Sequence, residues 1–477
     1  MIADLKPYPA MKDSGVPWLG KVPEHWSVER LRVLMSNVIQ QAVERWTGDL
    51  YVALEHVESW TGRLRRGASD ASFDSQVKRF RSGDVLFGKL RPYLAKVTRP
   101  HSDGVCVGEF LVLRPRVPGA SASYVAQMLR SKPIIDAIDS STFGAKMPRA
   151  DWQSMGAMPT ALPPAPEQAA IVRFLEYADR RIRRYIRAKQ KLFKLLEEQK
   201  QVIVHRAVTR GLDSNVRLKP SGVQWLDGVP EHWDVVQVRR VVASVTSGSR
   251  AWSAFYSEQG DVFLQSGNLG RAMALDLSYI QRVLPPPGSE GERTRVRRDD
   301  VLVCITGALT GNVAQVDREL LDPAFVNQHV ALVRPNQAKV RPRFLAFALH
   351  SEVGRVQFKA GEYGGTKQGL GLADVKSALI PLPPMSEQMA ICTELDSGIA
   401  ALAMAISRAG CQIALLREYR TRLIADVVTG KLDVREAAAR LPDEPAEAEA
   451  IDEGAALTEV EDTPTDGLYA IPGEIEA

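Results

Sequence analysis

The chain has 477 residues, 45% of them apolar and 25% charged, with four cysteines and a formal net charge of +4. A length beyond roughly 250–300 residues exceeds one hydrophobic core, so more than one globular domain is expected. No unbroken run of about 18 apolar residues occurs, the opening MIADLKPYPAMKDSG lacks a basic-then-apolar secretory layout, and Cys106, Cys304, Cys392 and Cys411 form no CxxC pair or zinc-spaced set. Membrane span, disulfide scaffold and metal site are therefore not expected, and a reducing, cytoplasmic setting is.

The charge is unevenly spread. Residues 436–477 hold 13 acidic side chains and one basic, Arg440, a net of −12 that leaves +16 on the first 435 residues. Nucleic acid is the commonest partner for such an excess, and a well-solvated surface is the plain alternative. The segment itself, rich in Ala, Glu and Pro, predicts an acidic disordered C-terminal tail.

In chain order, residues 1–165 mix short β-type runs, DVLFGKL (84–90) and GVCVGEFLVLRP (104–115), with turns and short helical stretches. Pro163, Pro164 and Pro166 stop any helix from upstream, and Pro166 and Glu167 suit the first turn of a new one. Residues 166–211 then read as one long helix. Alternating steps of four and three from Ile171 through Leu175, Ala178, Ile182, Tyr185, Lys189, Leu192, Leu196, Gln199 and Ile203 predict a coiled-coil seam, with Gly211 as the stop. Over 171–210 there are 12 Arg and Lys, among them Arg180, Arg181, Arg183, Arg184 and Arg187. Residues 212–385 form a second globular block, and 386–431 a second long helix with the same alternating steps from Ile391.

The two halves share a frame. KDSGVPWLGKVPEHW (12–26) matches KPSGVQWLDGVPEHW (219–233) at 11 of 15 positions. PTALPPAPEQAAI (159–171) answers IPLPPMSEQMAI (380–391), and HRAVTRGLD (205–213) answers ADVVTGKLD (425–433). Within the globular blocks, RSGDVLFGKL (81–90) parallels RDDVLVCITG (298–307), and FLVLRP (110–115) parallels VALVRP (330–335). The duplicated Glu-His-Trp invites a catalytic reading, but Trp18, Trp26, Trp225 and Trp233 read better as apolar anchors.

No GxxxxGK[ST], HExxH or GxSxG motif and no [DNS]-P-P-[YFW] tetrapeptide of amino-methyltransferases occurs in the sequence. The residue types able to read base edges and phosphates lie where the halves diverge. They are Lys89, Arg91, Tyr93, Lys146 and Arg149 in the first block, and Thr306, Thr310, Asn312, Thr366, Lys367 and Gln368 in the second. Glycines around Thr366–Gln368 would let backbone approach a groove. An ordinary surface loop is the plain alternative for any one of them.

On SGVPWLGKVPEHW, SGVQWLDGVPEHW, GDVLFGKLRPYLAKV, YGGTKQGL and the two LPP…EQ starts, the chain resembles the specificity subunit of type I restriction–modification enzymes over nearly all of residues 8–435. The resemblance implies an α+β protein in which two target-recognition domains, 1–165 and 212–385, each bind one half of a split double-stranded DNA target. It implies that the two long helices, conserved in that family, pack as an antiparallel coiled coil that fixes the gap. It further implies two modification subunits that methylate adenine and two restriction subunits, with S-adenosylmethionine, ATP and magnesium bound by those partners, and no active site, cofactor or membrane contact in this chain. The competing readings are a single-chain restriction–methylation enzyme, which would need motifs this sequence does not show, and a non-DNA coiled-coil scaffold.

Overall fold

The protein is described from a computed structural model covering residues 5–42, 46–65, 77–142, 147–248, 250, 252–270, 273–286, 288–363 and 369–442. Two compact units emerge: Met1–Ile182 with Glu418–Ala477, and Arg183–Arg417. Each mixes helices and sheets, so the protein is α+β. Each long helix is shared between the units.

In the first unit an antiparallel sheet runs in the order Met35–Asn37, Phe110–Pro115, Val85–Gly88, Val97–Thr98. The second unit repeats it as Val242–Ser247, Val330–Pro335, Val301–Cys304, Val313–Gln315. The inner strands are continuous apolar runs because both of their faces are covered. Successive side chains of a strand point to opposite faces, and Val301 and Val303 join one core with Phe344 and Phe347, whereas Leu302 and Cys304 join another with Val262 and Leu264. Each of the two frameworks carries a buried carboxylate in the same place. Asp84 takes a two-pronged bond from Arg114 at 2.8 and 2.6 Å, and Asp300 takes the same from Arg334 at 2.8 and 2.8 Å. These bonds hold both guanidinium pKa values above the usual arginine range.

The second sheets diverge. Each retains one parallel pair, Leu50–Val52 with Gly104–Val107 and Asp261–Leu264 with Ala324–Val326. The extra antiparallel strand joins Gly104–Val107 in the first unit and Asp261–Leu264 in the second. Framework is kept and periphery rebuilt.

The long helices are Ala165–Arg210 and Met385–Val428. Their outer ends are fixed within single units: in the first unit Arg420 lies 3.9 Å from Asp179, and in the second Val204, Ala207 and Val208 share a core with Ile391 and Leu395. Of the expected seam positions, Ile171, Leu175, Ala178 and Ile182 are buried, and the buried face then shifts. Tyr185 and Leu192 are exposed while Ile186 is buried. A straight helix of 3.6 residues per turn drifts off a 3.5-residue repeat, so a strict four–three count loses the buried face.

The helix Met385–Val428 contains an 18-residue window of mean hydropathy 1.7, enough by length and composition alone to cross a membrane, with Ala, Ile and Leu accumulating there without forming an unbroken run. One further expectation needs correction: the stretch 436–477 does not begin outside the fold. Arg435–Ala439 is helical, and Val434, Ala438 and Leu441, at helical spacing, are buried. Residues 443–477 lie outside the described residues.

Candidate nucleic-acid interface

The mount is built from the duplicated segments. Trp26 is fully buried, and its indole N–H donates to Oε1 of Glu167 at 2.9 Å, while Nε2 of His25 lies 2.8 Å from Oε2. The phenol of Tyr8 donates to the same carboxylate. In the second unit the indole of Trp233 donates to Glu387 at 2.9 Å and His232 lies 2.7 Å from it. A buried indole N–H requires an acceptor, and the first-turn glutamate of each long helix supplies it. The next residue completes the joint. Gln168 accepts from the Ser121 amide at 2.9 Å and donates to the Gly119 and Pro163 carbonyls. Gln388 accepts from the Arg341 amide at 2.8 Å and donates to Pro383 and Lys339.

Each tryptophan also meets the end of a long helix. Gly211 has φ +75°, and a Cβ there would stand 3.2 Å from the Trp233 ring. Gly430 has φ +74°, and a Cβ would stand 2.2 Å from Pro23 and 3.1 Å from the Trp26 ring. The tryptophans are thus polar-tipped anchors and not purely apolar ones. Trp18 and Trp225 are only half-buried.

On this mount, the candidate loops of the two units prove to be one loop made twice. In the first unit Lys89 N donates to Glu109 O, Ala150 N to Lys89 O, and Leu90 bridges Arg149. In the second Ile305 N donates to His329 O, Leu370 N to Ile305 O, and Thr306 bridges Gly369. The turn beyond matches as well, with Leu94 N to Arg91 O and Thr310 N to Gly307 O each at 3.0 Å. Arg91 is left-handed at φ +51° where its counterpart Gly307 has +99°, and Ala95 at +47° where Gly311 has +84°. The left-handed region disfavours a residue with a Cβ by roughly 1–2 kcal/mol. The first unit keeps a strained arginine where the second uses glycine.

Lys89, Arg91, Tyr93 and Arg149 therefore come together across about 60 residues of sequence. Arg91 and Tyr93 are exposed and Lys89 half-buried. Arg149 is exposed and faces Glu109 at 3.3 Å, so part of its charge is offset locally. In the second unit Thr306 and Thr310 are half-buried; the Thr310 hydroxyl is engaged by Gly307 O at 2.7 Å. The Asn312 amide donates to Leu269 O at 3.3 Å, so both side chains brace the loop. Lys146, Thr366, Lys367 and Gln368 lie outside the described residues.

Sequence reasoning missed Gln328 and His329, which share the turn facing Ile305 and sit 3.2 Å apart at their nitrogens. Their polar pair between two strands was the available signal. It also missed Trp46, 64% exposed, with the Arg79 guanidinium 3.5 Å from its ring centroid and Asp49 2.8 Å from Arg79. Other basic residues are framework. Lys78 donates to Gly108 O and Phe110 O and Lys96 to Leu54 O, and burial pulls both ammonium groups below the usual lysine range. Burial pushes the Cys106 and Cys392 thiols up to about 12, well away from thiolate chemistry. Among the described residues no cluster of three or more His, Cys, Asp or Glu could hold a metal ion.

The two units thus carry duplicated mounts and divergent loops, and residues 292–406 match the family model for the type I restriction modification DNA specificity domain. The chain is similar to the specificity subunit of type I restriction enzyme EcoDI of Escherichia coli, 25% identical over 36% of this chain and 40% of that protein. It is also similar to the EcoBI specificity subunit of Escherichia coli, 22% identical over 57% of this chain and 58% of that protein. The alignments thus span about half the length of these curated relatives. A chain from a solved structure concerning complex assembly and conformational transition of the type I R-M system superposes with a TM-score of 0.63 at 20% identity. It covers 86% of this chain and 99% of that one, a likeness of fold. In sequence and in fold, this chain is similar to type I restriction–modification specificity subunits.

Proposed function

We propose that this protein is the non-catalytic sequence-specificity subunit of a type I restriction–modification complex. Each unit's globular part reads one half of a bipartite double-stranded DNA target. The observation that carries this reading is the pair of equivalent loops, Lys89–Ala95 and Ile305–Gly311, held in one geometry and given different side chains. Two readers mounted identically and lettered differently suit an asymmetric split target.

The long helices pack as an antiparallel coiled coil, set the gap between half-sites and dock two modification subunits. The exposed apolar residues Tyr185, Leu192 and Leu195 on the first helix and Met404 and Leu415 on the second favour a further protein surface against them. Two restriction subunits complete the assembly. S-adenosylmethionine, ATP and magnesium belong to the partners, and the complex works on DNA in the cytoplasm without contacting a membrane. Co-expression with the cognate modification subunit, followed by genome-wide mapping of methylated adenines, tests the reading. One motif of two half-sites separated by a fixed gap is expected; no methylation, or a continuous motif, would overturn it.

A further inference from the structure

Gln328 stands in the turn 327–330, which joins the strand Ala324–Val326 to the framework strand Val330–Pro335. The turn is closed from three sides. Val330 N donates to Asn327 O at 3.2 Å, His329 N to Asn327 Oδ1 at 3.0 Å, and Gly248 N to Asn327 O at 3.1 Å. It lies directly beside the second unit's candidate loop, since Ile305 N donates to His329 O at 2.9 Å. The next strand end is tied to both: Asn327 N donates to Leu264 O at 3.0 Å, and the Asn312 amide to Leu269 O at 3.3 Å.

The first unit builds the same turn from residues 107–110. Lys89 N donates to Glu109 O at 2.8 Å, and Cys106 pairs with Val52 as Val326 pairs with Leu264. The position of Gln328 is there held by Gly108, and that of His329 by Glu109, which faces Arg149. Backbone is thus shared, and the second unit adds a side chain where the first has none.

That side chain is exposed, and its amide nitrogen lies 3.2 Å from Nε2 of His329. With the ring as acceptor, the contact takes one N–H and leaves the other together with the carbonyl oxygen. A donor beside an acceptor is the pair that meets N7 and the 6-amino group of adenine in the major groove. Residues 305–312 and 327–330 contain no Lys or Arg. A contact made here therefore supplies sequence information and little attraction to phosphate.

We propose that Gln328 is a specificity-determining residue of the second unit and reads one adenine of its half-site from the major groove. The assignment rests on the DNA-recognition reading.

The test uses the complex assembled with its modification subunit and a duplex carrying the mapped target, each base pair being replaced in turn. The unchanged complex is expected to lose affinity at every position of both half-sites. Q328A is expected to bind the target about tenfold more weakly, to become indifferent at one A·T pair, and to keep the same salt slope. Replacing that adenine by 7-deazaadenine, which lacks the N7 acceptor, is expected to weaken the unchanged complex several-fold and Q328A little. Unaltered costs at the other positions show that the variant is folded. Overturning results are a Q328A that discriminates as before at every position, or one that loses discrimination at a G·C pair. If the unchanged complex prefers no split target, the DNA-recognition reading fails and this assignment with it.

Discussion

Trp26 and Glu167, 141 residues apart, are joined by an indole-to-carboxylate hydrogen bond of 2.9 Å that fixes the start of the first long helix against the segment opening the first unit. Trp233 and Glu387 make the same bond at 2.9 Å. The two copies differ in burial, since the Glu167 side chain is 5% exposed and the Glu387 side chain 40%.

That difference sets the first expectation. E167A strands the buried donors of Trp26 and Tyr8 and is expected to lower stability by about 3 kcal/mol. E387A exposes its donors to water and costs about 1 kcal/mol. Chemical denaturation of the two variants checks the order, and equal losses would contradict it.

At Arg91 stability and the proposed DNA contact can be tested apart. R91G relieves a left-handed arginine and is expected to raise stability by about 0.5–1 kcal/mol, the relief being partly offset by the greater chain entropy of glycine. It is expected at the same time to weaken DNA binding by the assembled complex and to lower the salt slope by about one. Melting curves and salt-dependent binding measure the two effects, and an R91G that binds unchanged removes Arg91 from the interface.

The proposed role of the helices as a ruler is open to a direct test. Inserting seven residues near Lys189 and seven near Gly410 lengthens the pair by about 10 Å at ~1.5 Å per residue, or about three base pairs at ~3.4 Å each. Methylation mapping is expected to show a longer gap between unchanged half-sites. Altered half-sites would sink the idea.

Exchange of residues 220–380 for the matching region of a relative is expected to change one half-site and leave the other intact. Readout is again the methylated motif, and a change in both halves would end the modular interpretation.

His350 predicts an acid sensitivity of the second unit. Burial, with Lys200, Arg355 and Arg343 adding to it, lowers its pKa to about 4 from an ordinary 6.5. Between those values the unfolded chain binds a proton that the folded unit refuses, so stability falls as pH drops from about 6.5 to about 4 and levels off below. A shift of that size corresponds to about 3 kcal/mol. H350F is expected to flatten the pH dependence of the denaturation midpoint between pH 7 and 5; an unchanged slope would locate the sensitivity elsewhere.

The sequence by itself determined the duplication, the long helices, the strand frame and the regions of divergence. Each rests on local information: uninterrupted helical residues between prolines and glycines, apolar strand runs, and direct identity between the halves. Tertiary structure decided what those repeats are for. The acceptor for Trp26 lies 141 residues away, so Glu167 read as a helix-start residue and the tryptophan as an apolar anchor. Lys89 and Arg149 become neighbours only when the strand Phe110–Pro115 brings Glu109 beside Lys89 and Ala150 closes on its carbonyl. The equivalence of Arg91 with Gly307 lies in backbone angles that two dissimilar loops share. The seam along the first helix followed Ile171 to Ile182 and lost Tyr185 because the fold, and not a fixed count, chooses which face is buried.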